Sequence, residues 1–113
     1  MGTIVYSNLI ELLLEEKDKS EKEILDDAVN RFGFSGKNLT GDIKMRLLIN
    51  EKCGYYKKLD DGKYRLIMNN NCNITGRENF LRILKDAPKN YINERPHLKK
   101  LKEVLEEKVK IIR

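Results

Sequence analysis

Apolar residues along this chain recur at steps of three and four, then at two, then at three and four again. Over residues 3–17, Val5, Leu9, Leu12 and Leu13 fall on one face of a helix turning about 100° per residue, and Ile10 and Leu14 widen that stripe. Residues 15–20 read as a charged connector. Ser20 with Glu23 three positions on is a capping box: the hydroxyl accepts from a free N–H of the first turn while the carboxylate reaches back. A second helix over 21–32 carries Ile24, Leu25, Ala28, Val29 and Phe32 on one face and ends at Gly33. A turn over 34–39 follows. Thr40 caps a third helix over 40–52, closed by Gly54.

The period then changes. Residues 55–59 and 63–68 are rich in aromatic and branched side chains with alternating polar positions, and Asp61-Gly62 between them tolerates the positive φ of a tight turn. A β-hairpin is expected. The run Asn69-Asn70-Asn71-Cys72-Asn73 breaks regular structure and places a domain border near residue 71. A fourth helix opens at Thr75-Gly76, carries Phe80, Leu81, Leu84 and Ala87, and stops at Pro88. Residues 89–95 read as a second connector. The last helix starts near Pro96 and runs toward Arg113 with Leu98, Leu101, Leu105, Val109 and Ile112 on one stripe. The chain thus divides into residues 1–71 and a helical extension over 72–113.

Helix, turn, helix and basic hairpin in this order resemble a winged helix-turn-helix domain over residues 7–68, somewhat over half the chain. The strongest likeness is the ending: Gly54, the pair Tyr55-Tyr56, the hairpin, and a Lys63-Tyr64-Arg65-Leu66 return strand. The turn over 34–39 is longer than in the tightest helix-turn-helix motifs. The resemblance implies an α+β, mainly helical fold of three helices plus a β-hairpin wing, with two additional C-terminal helices. It also implies binding of double-stranded DNA, although a minority of such domains bind proteins or RNA.

Charge agrees with an anionic partner. Lys and Arg number 23 against 18 Asp and Glu, a formal net charge of +5. Duplex DNA is held through phosphates by Lys and Arg, and base identity is read by a helix in the major groove. On the third helix Asp42, Arg46 and Asn50 share a strip, and Arg and Asn can grip guanine and adenine with two hydrogen bonds each. Lys44, on a different side, can meet a phosphate. The hairpin adds Lys57, Lys58, Lys63 and Arg65, which suit a groove or a phosphate path and equally protect an exposed strand edge. Tyr55, Tyr56 and Tyr64 are expected to pack in the core and at its rim.

The remaining chemistry is sparse. Cys53 and Cys72 with a single histidine, His97, make no zinc signature, and Cys53 is expected as a small buried thiol at a helix end. His97 is expected at the surface. Acid pairs such as Asp26-Asp27 and Glu106-Glu107 are expected on exposed helix faces. The glycines match no phosphate-binding loop, no nucleophile motif is present, and Leu9 to Leu14 is too short to span a bilayer. Enzymatic activity, a cofactor and a membrane partner are not expected. The stripe of Leu98, Leu101, Leu105, Val109 and Ile112 must be covered, either by the chain's own domain or by the same helix of a second copy, and a homodimer is expected. The sequence therefore points to a small cytoplasmic DNA-binding protein, a transcriptional regulator or an accessory factor in plasmid, phage or other mobile-element DNA processing. The alternative is a winged-helix protein-interaction module.

Overall fold

Helix α1 (Gly2–Glu16) is buried around most of its girth, since Val5, Asn8, Leu9, Ile10, Leu12, Leu13 and Leu14 are all nearly inaccessible. A helix apolar over so wide an arc must be covered from more than one direction. The computed structural model describes the backbone of residues 2–67 and 70–112, and side chains over 4–67 and 77–108. After α1 come β1 (Lys19–Ser20), α2 (Glu21–Asn30), α3 (Leu39–Lys52), β2 (Tyr56–Lys58) and β3 (Lys63–Leu66). Helices α4 (Asn70–Asp86), α5 (Lys89–Asn93) and α6 (Pro96–Ile112) follow. Helix α1 packs against α2, α3, β3 and α4, and α6 lies on α4. The result is a mainly helical α+β fold with a small antiparallel sheet ordered β1-β3-β2.

One apolar cluster runs through both halves of the chain, joining Leu9, Leu13, Ile24, Phe32, Ile43 and Tyr56 to Phe80, Leu84, Leu98, Leu101 and Leu105. The border expected near residue 71 falls inside α4, which begins at Asn70 and takes in Asn71, Cys72 and Asn73, while Asn69 lies outside the described residues. Asparagine is only weakly unfavourable in a helix, and the packing of Arg77, Phe80 and Leu84 downstream outweighs it. Leu98, Leu101 and Leu105 are buried by the chain itself. Val109, Ile112 and Cys72 lie outside the described side chains.

Smaller departures have local causes. The connector over 15–20 contains strand β1, where Lys19 pairs with Tyr64 and Ser20 with Lys63. Lys19 is nearly inaccessible, with its ammonium 3.2 Å from Glu16 Oε1 and also bonded to Asp27 Oδ2. Asp27 is thus half-buried and paired rather than a solvated acid. Arg31 adds a two-pronged contact to Glu16 at 2.7 and 2.9 Å, and that hydrogen bond is the main reason the Glu16 carboxyl is pulled down to about 2. The Ser20 capping box forms as expected, with Glu23 N–H to Ser20 Oγ at 3.2 Å and Ser20 N–H to Glu23 Oε1 at 3.1 Å. Helix α3 starts one residue before Thr40, after Asn38, which makes no side-chain cap. The turn between α2 and α3 is long because Phe34 is buried within it, its ring 5.9 Å from Tyr6 and 4.8 Å from His97. His97 is therefore half-buried against a ring, not a surface residue. Residues 89–93 form α5 rather than a plain connector. Cys53, at the C-cap of α3, is exposed instead of buried. Among the described residues no helix is long and apolar enough to cross a membrane.

Candidate nucleic-acid interface

Two turns fix the hairpin against α3. At the end of α3, Gly54 adopts φ of 83°, and Tyr55 N–H reaches back to the Asn50 carbonyl at 2.8 Å while Gly54 N–H reaches Glu51 at 3.1 Å. This Schellman ending needs a left-handed residue, which glycine supplies without a Cβ penalty. It sends the chain straight into β2, where Tyr56 is buried beside α3. At the tip, Leu59 N–H bonds to the Lys63 carbonyl at 2.8 Å, Gly62 has φ of 85°, and Asp61 Oδ1 accepts from Lys63 N–H at 3.0 Å.

Strand periodicity then sorts the hairpin side chains. Tyr56, Lys58, Tyr64 and Leu66 share one face, on which both tyrosines are buried and the Lys58 ammonium lies 5.9 Å from the Tyr64 ring. Lys57 and Arg65 are opposite each other on the other face, with Lys63 two residues from Arg65. Arg65 is not free for phosphate. Its guanidinium makes two bonds to Asp18 at 3.1 and 2.7 Å, and this contact holds the Asp18 carboxyl below its usual range and pushes Arg65 up. Lys63 sits 3.9 Å from Glu23. Lys57 and Lys58 are exposed, and no ion pair among the described residues involves either.

Helix α3 is phased by Leu39, Ile43 and Leu47, all buried. At about 100° per residue, Asn50 lies next to that stripe and Arg46 beside it, so both expected base readers sit toward the interior. Asn50 Nδ2 donates to the Arg46 carbonyl at 2.8 Å, engaging its amide with its own helix. Arg46 is half-buried, and its charge acts on the Tyr56 hydroxyl. The outward arc instead carries Gly41, Met45, Leu48 and Lys52, with Lys44 at its edge, all exposed. Of these, sequence reasoning singled out only Lys44.

A second polar cluster lies behind the hairpin. The Tyr56 hydroxyl is buried without a hydrogen-bond partner among the described residues, and desolvation together with the Glu11 charge pushes it far up. Glu11 is itself raised to about 7, mainly by desolvation, with Arg77 pulling it down and Glu15 pushing it up. Arg77 is 1% exposed, bonds to Glu15 Oε2, and leaves its Nε unpaired. Folding therefore favours protonated Glu11. Its contribution is intact below the ordinary value of 4.5 and is lost as pH rises through about 7. We expect the native chain to lose roughly 2 kcal/mol of stability from this carboxyl between pH 5 and pH 8. Glu11→Gln should remove that slope, as read by urea unfolding at several pH values. Glu16 works in the opposite sense, its contribution fading only as pH falls toward about 2, so it does not disturb this window.

No protein-family model matches the chain, and neither curated proteins nor solved structures yield a match.

Proposed function

We propose that the chain binds double-stranded DNA as a winged helix-turn-helix protein, with α2, the long turn and α3 as the helix pair and β2–β3 as the wing. The observation that carries this reading is the joining of these parts into one framework: α3 turns directly into β2 at Gly54, and β3 pairs back to β1 at the start of α2. Exposed Lys44, Lys52, Lys57 and Lys58 on α3 and the wing supply the cations. Its role is that of a small transcriptional regulator, or of an accessory factor in plasmid, phage or other mobile-element DNA processing, in the cytoplasm. Because Leu98, Leu101 and Leu105 are already covered, the proposal is made for a single copy of the chain.

Four phosphate contacts imply that duplex affinity falls roughly 10²-fold between 50 and 200 mM salt. Lys57→Ala and Lys58→Ala should each weaken all duplexes alike and make the salt slope shallower by about one. Affinity indifferent to salt, measured by fluorescence anisotropy, would overturn the reading. One observation favours a protein partner instead: Tyr55 and Ile67, bonded through Ile67 N–H to the Tyr55 carbonyl at 2.9 Å, are both exposed at the base of the hairpin. Absence of duplex binding at low salt, with affinity for a partner lost on Tyr55→Ala, would support that second reading.

A further inference from the structure

The face that α3 turns outward is not the one its hydrogen-bonding side chains would suggest. Met45 and Leu48 are 52% and 43% exposed, unusual for large apolar residues one helical turn apart. Neither can hydrogen-bond to a base edge. Lys52 falls between them in phase, one turn beyond Leu48, Lys44 lies at the edge of the arc, and Gly41 precedes them on it; Asp42 and Glu51 stand at its two borders. The surface is thus an apolar strip carrying two lysines, with one acid at each border.

A major groove offers one apolar feature among its donors and acceptors, the C5 methyl of thymine, set between two rows of phosphates. The strip and its lysines complement that arrangement in both polarity and charge. Gly41, without a side chain, lets the first turn of α3 come close to a groove wall. We infer that Met45 and Leu48 read thymine methyl groups in the major groove, while Lys44 and Lys52 hold the neighbouring phosphates. The inference rests on the duplex-binding reading and adds to it the feature recognised and the residues that recognise it.

Taking a methyl out of water on binding is worth about a factor of four in affinity, so two such contacts give roughly fifteenfold discrimination. The experiment takes the tightest duplex selected from a random pool and remakes it with uracil in place of each thymine in turn. At two or more positions, uracil should weaken binding of the native chain about fourfold. The Met45→Ala and Leu48→Ala double variant should bind the thymine and uracil duplexes equally, with Lys44→Ala still discriminating between them. Equal binding of both duplexes by the native chain, or discrimination that survives in the double variant, overturns the inference while leaving duplex binding in place. Failure to bind any duplex at low salt removes both readings, and leaves Met45 and Leu48 to a protein partner.

Discussion

A chain cut after residue 71 is expected to lose cooperative folding. The excised part supplies Phe80, Leu84, Leu98, Leu101 and Leu105 to the apolar cluster, each at most 3% exposed. Fully burying such a side chain contributes about 1.5–3 kcal/mol, so the five together approach 10 kcal/mol, comparable to the whole stability of a typical domain. The loss also bares the part of α1 that α4 covers. Urea unfolding followed by circular dichroism should give a sharp transition for the full chain and a broad one, or none, for the fragment. A fragment with a sharp transition and stability near that of the full chain would make residues 72–113 an appendage after all. Leu101→Ala tests the same point within the intact chain and should cost about 3 kcal/mol.

Arg77→Ala should destabilise the protein by about 3 kcal/mol at neutral pH. The guanidinium is inaccessible, holds Glu15, and draws down the raised Glu11 carboxyl one turn earlier on α1. Its removal leaves two neighbouring carboxylates without their cation in a poorly solvated place. The damage therefore depends on pH, because protonation of Glu11 relieves part of the repulsion. The loss should be clearly smaller at pH 5 than at pH 8. Arg77→Met fills the volume without the charge and should recover part of the packing while keeping the pH sensitivity of the loss. Adding Glu11→Gln to Arg77→Ala should restore stability chiefly at high pH. Equal losses at both pH values would mean that Arg77 acts through its bulk alone.

How much of this was legible in the chain differs from element to element. The capping box at Ser20 and the Asp61-Gly62 hairpin follow from local chemistry, and both form as expected. The width of the α1 stripe, with Ile10 and Leu14 beside Leu9 and Leu13, already held the sign that more than the N-terminal elements must cover it. It was outweighed by the asparagine run, whose local preference yields to the packing that follows. Strand β1 escaped notice because two residues carry no period and because one of them is a lysine, buried only thanks to acids on α1 and α2. The phase of α3 was misjudged for a related reason. Leu47 and Leu48 are adjacent and equally apolar, yet one is inaccessible and the other exposed; Leu39, left outside the expected helix, joins Ile43 in deciding between them. With that choice Arg46 and Asn50 move inward and Met45 moves out. Arg65 illustrates a limit of another kind, since its partner Asp18 lies 47 positions away and no spacing rule connects them.

Ser20 belongs at once to the edge of the sheet and to the first turn of α2. Its neighbour across the ladder, Lys63, is made more than forty residues later, when α3 and β2 have already been synthesised. The capping box can form as soon as Glu23 is made, whereas the β1 ladder must wait until the return strand emerges. The order in which the chain leaves the ribosome is not the order in which its parts become permanent.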